Sequence, residues 1–192
     1  MQPINAIEHI EASMIEMLAA IDLLVDGEYQ RPALILIYSA IDASASLARP
    51  ESKEYSTRQD FFRWVDRYLL TSGAAPRCSA IDLYAARCGL LHTHAPEAAL
   101  SDSGEARIIG YAWGNASVDV LRDLFVRQGR SQTHAAVHID ELVAATKRAV
   151  ATFLEEVRST PSLRAVVWPR ARMLAAVSTA EANEYSAYLE GG

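Results

Sequence analysis

Apolar positions in this chain recur mostly at three- and four-residue intervals, the spacing that lines one face of an α-helix. From Ala6 to about Val25 they are Ile7, Ile10, Met14, Met17, Leu18, Ile21 and Leu24, with Asn5 ahead as a cap and Asp26-Gly27 as the stop. The methionines sit at helical spacing and read as core rather than as sulfur ligands. A second helix has Pro32 in its first turn, where a missing N–H costs nothing, and runs to about Arg49, before Pro50. It is apolar nearly all round, the pattern of a central bundle helix. Ser39 and Asp42 interrupt it three residues apart, hence on one face. They read either as a small buried hydrogen-bond network or as groups that orient a functional arginine or histidine.

Thr57, with Asp60 three residues on, is a variant capping box for a third helix, TRQDFFRWVDRYLL. Phe61, Trp64, Val65, Tyr68 and Leu69 make its apolar stripe, and Arg58, Arg63 and Arg67 lie off it. Such a stripe is core, or with the arginines a surface on which nucleotides stack. After the loop TSGAAP, Ser79 or a neighbour opens a fourth helix that Pro96 closes. Its apolar residues Ile81, Leu83, Tyr84, Cys88, Leu90 and Leu91 cover much of the circumference.

Leu100 to Glu105 reads as a turn, and Arg107 to Gly114 (RIIGYAWG) as a strand, because its glycines disfavour a helix interior. Val118 to Gly129 has helical spacing but also fits an extended run. HAAVHI, His134 to Ile139, predicts a second strand, pairing with the first as a small antiparallel hairpin. Asp140 then caps a long helix ended by Thr160-Pro161, with Val143, Val150, Phe153, Leu154 and Val157 inward and Lys147 and Arg148 outward. A shorter helix follows from about Ser162 to Val177, interrupted or bent at Pro169, and a polar tail from about 178. The expected fold is mainly α: one domain over residues 1–192, a bundle of four to five main helices with a β-hairpin insertion at about 105–139.

Composition narrows the partners. Apolar residues make up 51% of the 192 and charged ones 22%, ordinary for a packed core. With 24 acidic and 18 basic side chains the net charge is -6, so nucleic acid must be met by a local patch. Basic residues gather from Arg49 to Arg87 and again at Arg158, Arg164, Arg170 and Arg172. Two cysteines, no apolar run of membrane-spanning length and no leader-like start predict a reduced, cytoplasmic protein away from the membrane.

The chemistry gathers on the fourth helix, where Arg87 is followed five residues later by His92, with His94 near the end. A guanidinium binds phosphate through its planar fork and stabilises the added charge of a pentavalent transition state. A histidine titrating near pH 6.5 serves as general acid or base. The two lie about 140° apart around the axis, so they line two edges of a cleft rather than touch. Without metal, such a pair suits cleavage of RNA by its own 2′-hydroxyl. Plainer readings are an ion pair of Arg87 with Asp42 or Asp82, and a favourable helix-end cation for His92. His92-x-His94 and His134-x3-His138 also raise a zinc site, but the second pair reads as strand and no HExxH is present. GxSxG, Walker A and GxGxxG patterns are absent as well.

The run Arg87-Cys-Gly-Leu-Leu-His92, late in a penultimate core helix, resembles the R-x4-6-H signature of the HEPN superfamily. The preceding IYSAIDASASLARP, with Tyr38, Ser39 and Asp42, and the aromatic helix from Phe61 to Tyr68 also look like bacterial members. The resemblance spans roughly Ala33 to His94, with Asp140 to Val157 as the closing helix. It implies a homodimer whose motif helices form one composite cleft, and a cofactor-free, metal-independent endoribonuclease of toxin–antitoxin or phage-defence systems. Arg87 would polarise the scissile phosphate and His92 transfer the proton, leaving 2′,3′-cyclic phosphate and 5′-hydroxyl ends. Ser39, Asp42, Tyr84, Cys88 and His94 would support the site or bind substrate. The residue after the arginine, often Asn, Asp or His in active members, is Cys88 here, a poor polar anchor. Because other members only bind nucleotides or protein partners, the alternative that the resemblance implies is a non-catalytic nucleotide-binding or protein-interaction module, regulatory or antitoxin.

Overall fold

The computed structural model describes residues 6–71, 75–92 and 99–174. Helix α1, Ala6–Asp26, places Ile10, Met14 and Ile21 in the core at the predicted spacing. Gly27 and Glu28 turn the chain into α2, Gln30–Ala48, which packs against α1 and against every later core helix. Its buried set (Ala33, Leu34, Ile37, Tyr38, Ala40, Ile41, Ser44, Ala45, Leu47) covers about half of its circumference, and the other residues from 35 to 48 are partly buried. The central position expected from its all-round apolarity is therefore what it occupies.

Helix α3, Arg58–Trp64, runs directly into a π-helical turn, Val65–Leu69. Thr57 donates its backbone N–H and its hydroxyl to the Asp60 carboxylate at 2.9 and 2.6 Å, the cap expected from the sequence. Trp64 and, within the π turn, Val65, Tyr68 and Leu69 are all buried, the apolar stripe expected from the sequence. Helix α4, Ala80–His92, sends Leu83, Ala86 and Leu90 into the same core. Helices α7, Ile139–Ser159, and α8, Pro161–Leu174, close the bundle, and Pro169 lies inside α8 without ending it. Among the described residues no helix is long and apolar enough to cross a membrane.

Between α4 and α7 the chain departs from the predicted hairpin. A single helical turn, α5, Ala99–Asp102, opens the segment expected to be a plain turn. Strands β1, Ile108–Ala112, and β2, His134–His138, form where expected, but they pair in parallel, from Ile108 with His134 to Ala112 with His138. The reason is helix α6, Val118–Arg127, capped by Ser117, which carries the chain back before β2 begins. An antiparallel pair needs only a short turn, whereas a full helical return leaves both strands running the same way. Gly114 and Gly129, with φ of +57° and +67°, make the two reversals.

The unit is bound to the bundle rather than appended to it. Tyr38 of α2 and Tyr111 of β1 meet hydroxyl to hydroxyl at 2.5 Å, with Tyr38 fully buried. The long helix α7 is capped by His138, not by the predicted Asp140. The imidazole Nδ1 accepts from the Asp140 N–H at 3.2 Å, which makes Nε2 the protonated nitrogen that donates to the Gly114 carbonyl at 3.1 Å. One side chain thus caps α7 and pins the turn after β1.

Candidate functional site

The first turn of α4 is fixed before any chemistry is reached. The Ser79 N–H donates to Asp82 at 2.9 Å, and the Asp82 N–H donates to the Ser79 hydroxyl at 3.3 Å, a reciprocal cap. Asp82 also accepts from Arg107, through the backbone N–H at 2.7 Å, Nε at 3.1 Å and Nη2 at 2.7 Å. Burial alone would raise its carboxyl, but the Arg107 and Ser79 hydrogen bonds hold it below the usual value. The start of α4 is thereby joined to the start of β1.

Five residues further along the helix, Arg87 faces α2. Its Nε donates to Asp42 Oδ2 at 2.8 Å, and Nη2 makes a second, shorter bond to the same oxygen. Its guanidinium also lies 5.9 Å from the centre of the Tyr84 ring, and Nη1 is 3.8 Å from Cys88 Sγ. Tyr84 is held in turn by edge-on contacts with Phe61 and Phe62, at 5.3 and 5.6 Å between ring centres. Burial disfavours the Arg87 cation, yet the bonds to Asp42 outweigh it and the net shift is upward. The guanidinium stays charged at every accessible pH.

Asp42, Tyr84 and Arg87 line a cleft of about 400 Å³, together with Ser46, Thr57 and Arg58. Of these, Asp42, Tyr84 and Arg87 were expected from the sequence. Ser46, Thr57 and Arg58 were not assigned to the site; the Thr57 cap was the one signal that a helix N-terminus would lie there. The side chains of Arg87 and Asp42 are 21% and 30% exposed, so the pair is reachable from solvent while fixed in direction.

Other expected residues separate from this group. Ser39 donates to the Ile35 carbonyl of its own helix at 2.8 Å and does not line the cleft. His92 ends α4, and its side chain, like the whole of His94, lies outside the described residues. Asp82, the other candidate partner of Arg87, is committed to Arg107. The aromatic stripe of α3 is core, with Phe61 and Trp64 only 1% and 2% exposed, so it offers no face on which a base could stack. His134 and His138 stand at opposite ends of β2, about 13 Å apart for four extended residues, and cannot share a metal ion. Cys78 is pushed up to about 12, by burial and then by the charge of Asp82, so its thiol is inert at neutral pH.

Comparison with known proteins finds no match for this chain among family models, curated proteins or solved structures. Fold and cleft define a mainly helical protein with a small parallel β-α-β unit and a pre-oriented arginine beside a solvent-open cleft.

Proposed function

We propose that the chain is a metal-independent endoribonuclease of the HEPN type, acting at the Arg87 cleft. The observation that carries this reading is the Arg87–Asp42 arrangement. A guanidinium fixed by a carboxylate on a neighbouring helix and by an aromatic ring is already oriented at the cleft wall. A phosphate oxygen replaces the weak sulfur contact of Nη1 with a charge-assisted hydrogen bond. The ribose 2′-oxygen then attacks phosphorus, a 2′-O–P bond forms, and the P–O5′ bond breaks. His92, on the same helix, transfers the proton between the 2′-hydroxyl and the departing 5′-oxygen. Two copies bring their α4 helices together, so that the His92 ends complete one shared cleft.

Cleavage of a structured RNA in EDTA by wild type, Arg87→Ala and His92→Ala tests this directly. The expected products carry 2′,3′-cyclic phosphate and 5′-hydroxyl ends. Each variant should lose roughly 100-fold or more in rate while keeping its helical content. Background cleavage by a demonstrably folded wild-type dimer would sink the nuclease reading.

A second reading rests on the same ion pair. Asp42 neutralises Arg87 in place, and Cys88 supplies no polar anchor beside it, as suits a non-catalytic module that binds a nucleotide or a protein partner. Under that reading Arg87→Ala weakens binding and no cleavage is detected for any variant.

A further inference from the structure

A second, larger cleft lies on the other side of α3, between the end of α2, the π-helical turn and the α7–α8 junction. It measures about 520 Å³, within the range of small-molecule sites, and is lined by Arg49, Arg63, Trp64, Arg67, Ser162 and Val166 among others. Three of the arginines that the sequence scattered over two helices converge here. In a chain of net charge -6, this is a local positive pole.

The charges around it do not cancel. Asp60 is shared between Lys53 and Arg63, and Glu156 is taken by Arg67 and by the Tyr68 hydroxyl at 2.9 Å. Arg49 donates to the carbonyls of Ser46, Lys53 and Glu54 and to the Ser46 hydroxyl, all neutral acceptors. Arg170 donates to the carbonyls of Leu47, Arg49 and Pro50. Burial, and then the nearby Arg49 cation, push its guanidinium below the ordinary value. On the wall itself three cations, Arg49, Arg63 and Arg67, meet two carboxylates, Asp60 and Glu156, while Lys53 and Arg170 stand just behind it, bonded to Asp60 and to the Arg49 carbonyl. The first turn of α8, with Ser162 and Leu163 on the wall, adds the positive end of a helix dipole.

Two further features set this cleft apart. The indole N–H of Trp64, on its wall, is buried with no hydrogen-bond partner among the described residues, a donor that a folded protein seldom leaves unused. The π-helical turn that follows Trp64 supplies Arg67 and Tyr68 to the same wall, and such turns recur at functional positions. Ala48, Leu163 and Val166 provide an apolar surface beside the cations.

We propose that this cleft binds a phosphorylated small molecule of the nucleotide class. Its phosphates meet Arg49, Arg63 and Arg67, and its flat body lies on the Ala48–Leu163–Val166 side. The site is independent of the Arg87 cleft, so it stands or falls separately from the nuclease reading.

Titration calorimetry of the full chain at low salt, with ATP, GTP, inorganic pyrophosphate and adenosine, is the test. A nucleotide should bind at least tenfold more tightly than pyrophosphate, and adenosine should not bind. The Arg63→Ala/Arg67→Ala double variant should weaken binding tenfold or more, since each arginine donates charge-assisted bonds. Both side chains are more than half exposed, so the variant is expected to fold, and its melting temperature checks this. Val166→Trp fills the cleft without touching charge and should block the nucleotide as well. Absence of nucleotide binding, equal affinity for pyrophosphate, or loss of binding in Arg87→Ala but not in the double variant would each overturn the proposal.

Discussion

Helix α4 carries two aspartate–arginine pairs that differ in almost everything but composition. At its start, Asp82 is 2% exposed and accepts four hydrogen bonds, three from Arg107 and one from the Ser79 backbone. Past its middle, Arg87 meets Asp42 at a cleft wall, with both side chains a fifth to a third exposed. The first pair joins a helix start to a strand start and is withdrawn from solvent. The second fixes a cation where a ligand can reach it. Burial and the number of bonds, rather than the identity of the residues, separate a structural joint from a candidate site.

The largest effect is expected at the joint. Asp82→Ala leaves Arg107 and two backbone N–H groups without their acceptor, and should cost about 3 kcal/mol in urea unfolding. The pH dependence follows from the depressed carboxyl. A group with a lowered folded-state pKa stabilises fully above its unfolded value, about 4, and that contribution is lost as pH falls through the folded value. Asp60, held low against the effect of burial by Thr57 and Lys53, behaves alike. Wild-type stability should therefore fall below about pH 4, and Asp82→Ala should flatten part of that limb. An unchanged acid limb would show that Asp82 is not the joint described.

Next comes the β-α-β unit, where β1 passes under α6. A Cβ on Gly110 would sit 2.6 Å from Phe125 Cζ, and the Phe125 ring is itself packed 5.0 Å from that of His134. Gly110→Ala should therefore cost roughly 1–3 kcal/mol, with thermal melting as the measure. A companion Phe125→Leu substitution should recover part of the loss if the contact is the cause. Smaller again is His138→Ala, which removes the α7 cap and the bridge to Gly114, at about 1 kcal/mol.

These positions also show what was legible in the sequence. Helical periodicity placed α1, α2 and α7, because burial on one face imposes that period directly, and the glycines of RIIGYAWG, which disfavour a helix, placed β1. Strand direction was not legible, since it depends on whether Val118 to Gly129 crosses over as a helix, and its spacing fitted both conformations. The α7 cap was misplaced by two residues because a histidine competes poorly with an aspartate as a sequence signal, while here its second nitrogen is anchored by Gly114. At the site, Asp42 was legible as a polar interruption of an apolar helix and Arg87 by its spacing to His92, but whether Arg87 pairs with Asp42 or Asp82 was not, because that depends on how α4 packs on α2 and β1. Ser39 has the same signal but satisfies itself on the preceding turn, which no spacing rule distinguishes. The gathering of basic residues from Arg49 to Arg87 was legible, but not the larger cleft that Arg49, Arg63 and Arg67 line, because its other wall comes from α7 and α8 and exists only in the folded chain.

The smallest stability effect carries the sharpest functional test. Asp42→Asn keeps the shape and an acceptor for Arg87 but removes the charge, and a partly exposed pair should lose less than about 1 kcal/mol. Its functional outcome depends on what Asp42 does. As a positioning residue of a nuclease, it holds the guanidinium for the transition state, so Asp42→Asn should lower kcat with KM little changed, and Asp42→Glu should restore part of the rate. As a mere competitor for the cation, it masks Arg87 from phosphate, so Asp42→Asn should tighten phosphate binding, and Arg87→Ala/Asp42→Asn should bind no better than Arg87→Ala alone. A fall in kcat marks the pair as part of a catalytic arrangement. A gain in affinity without turnover marks it as the gate of a binding site.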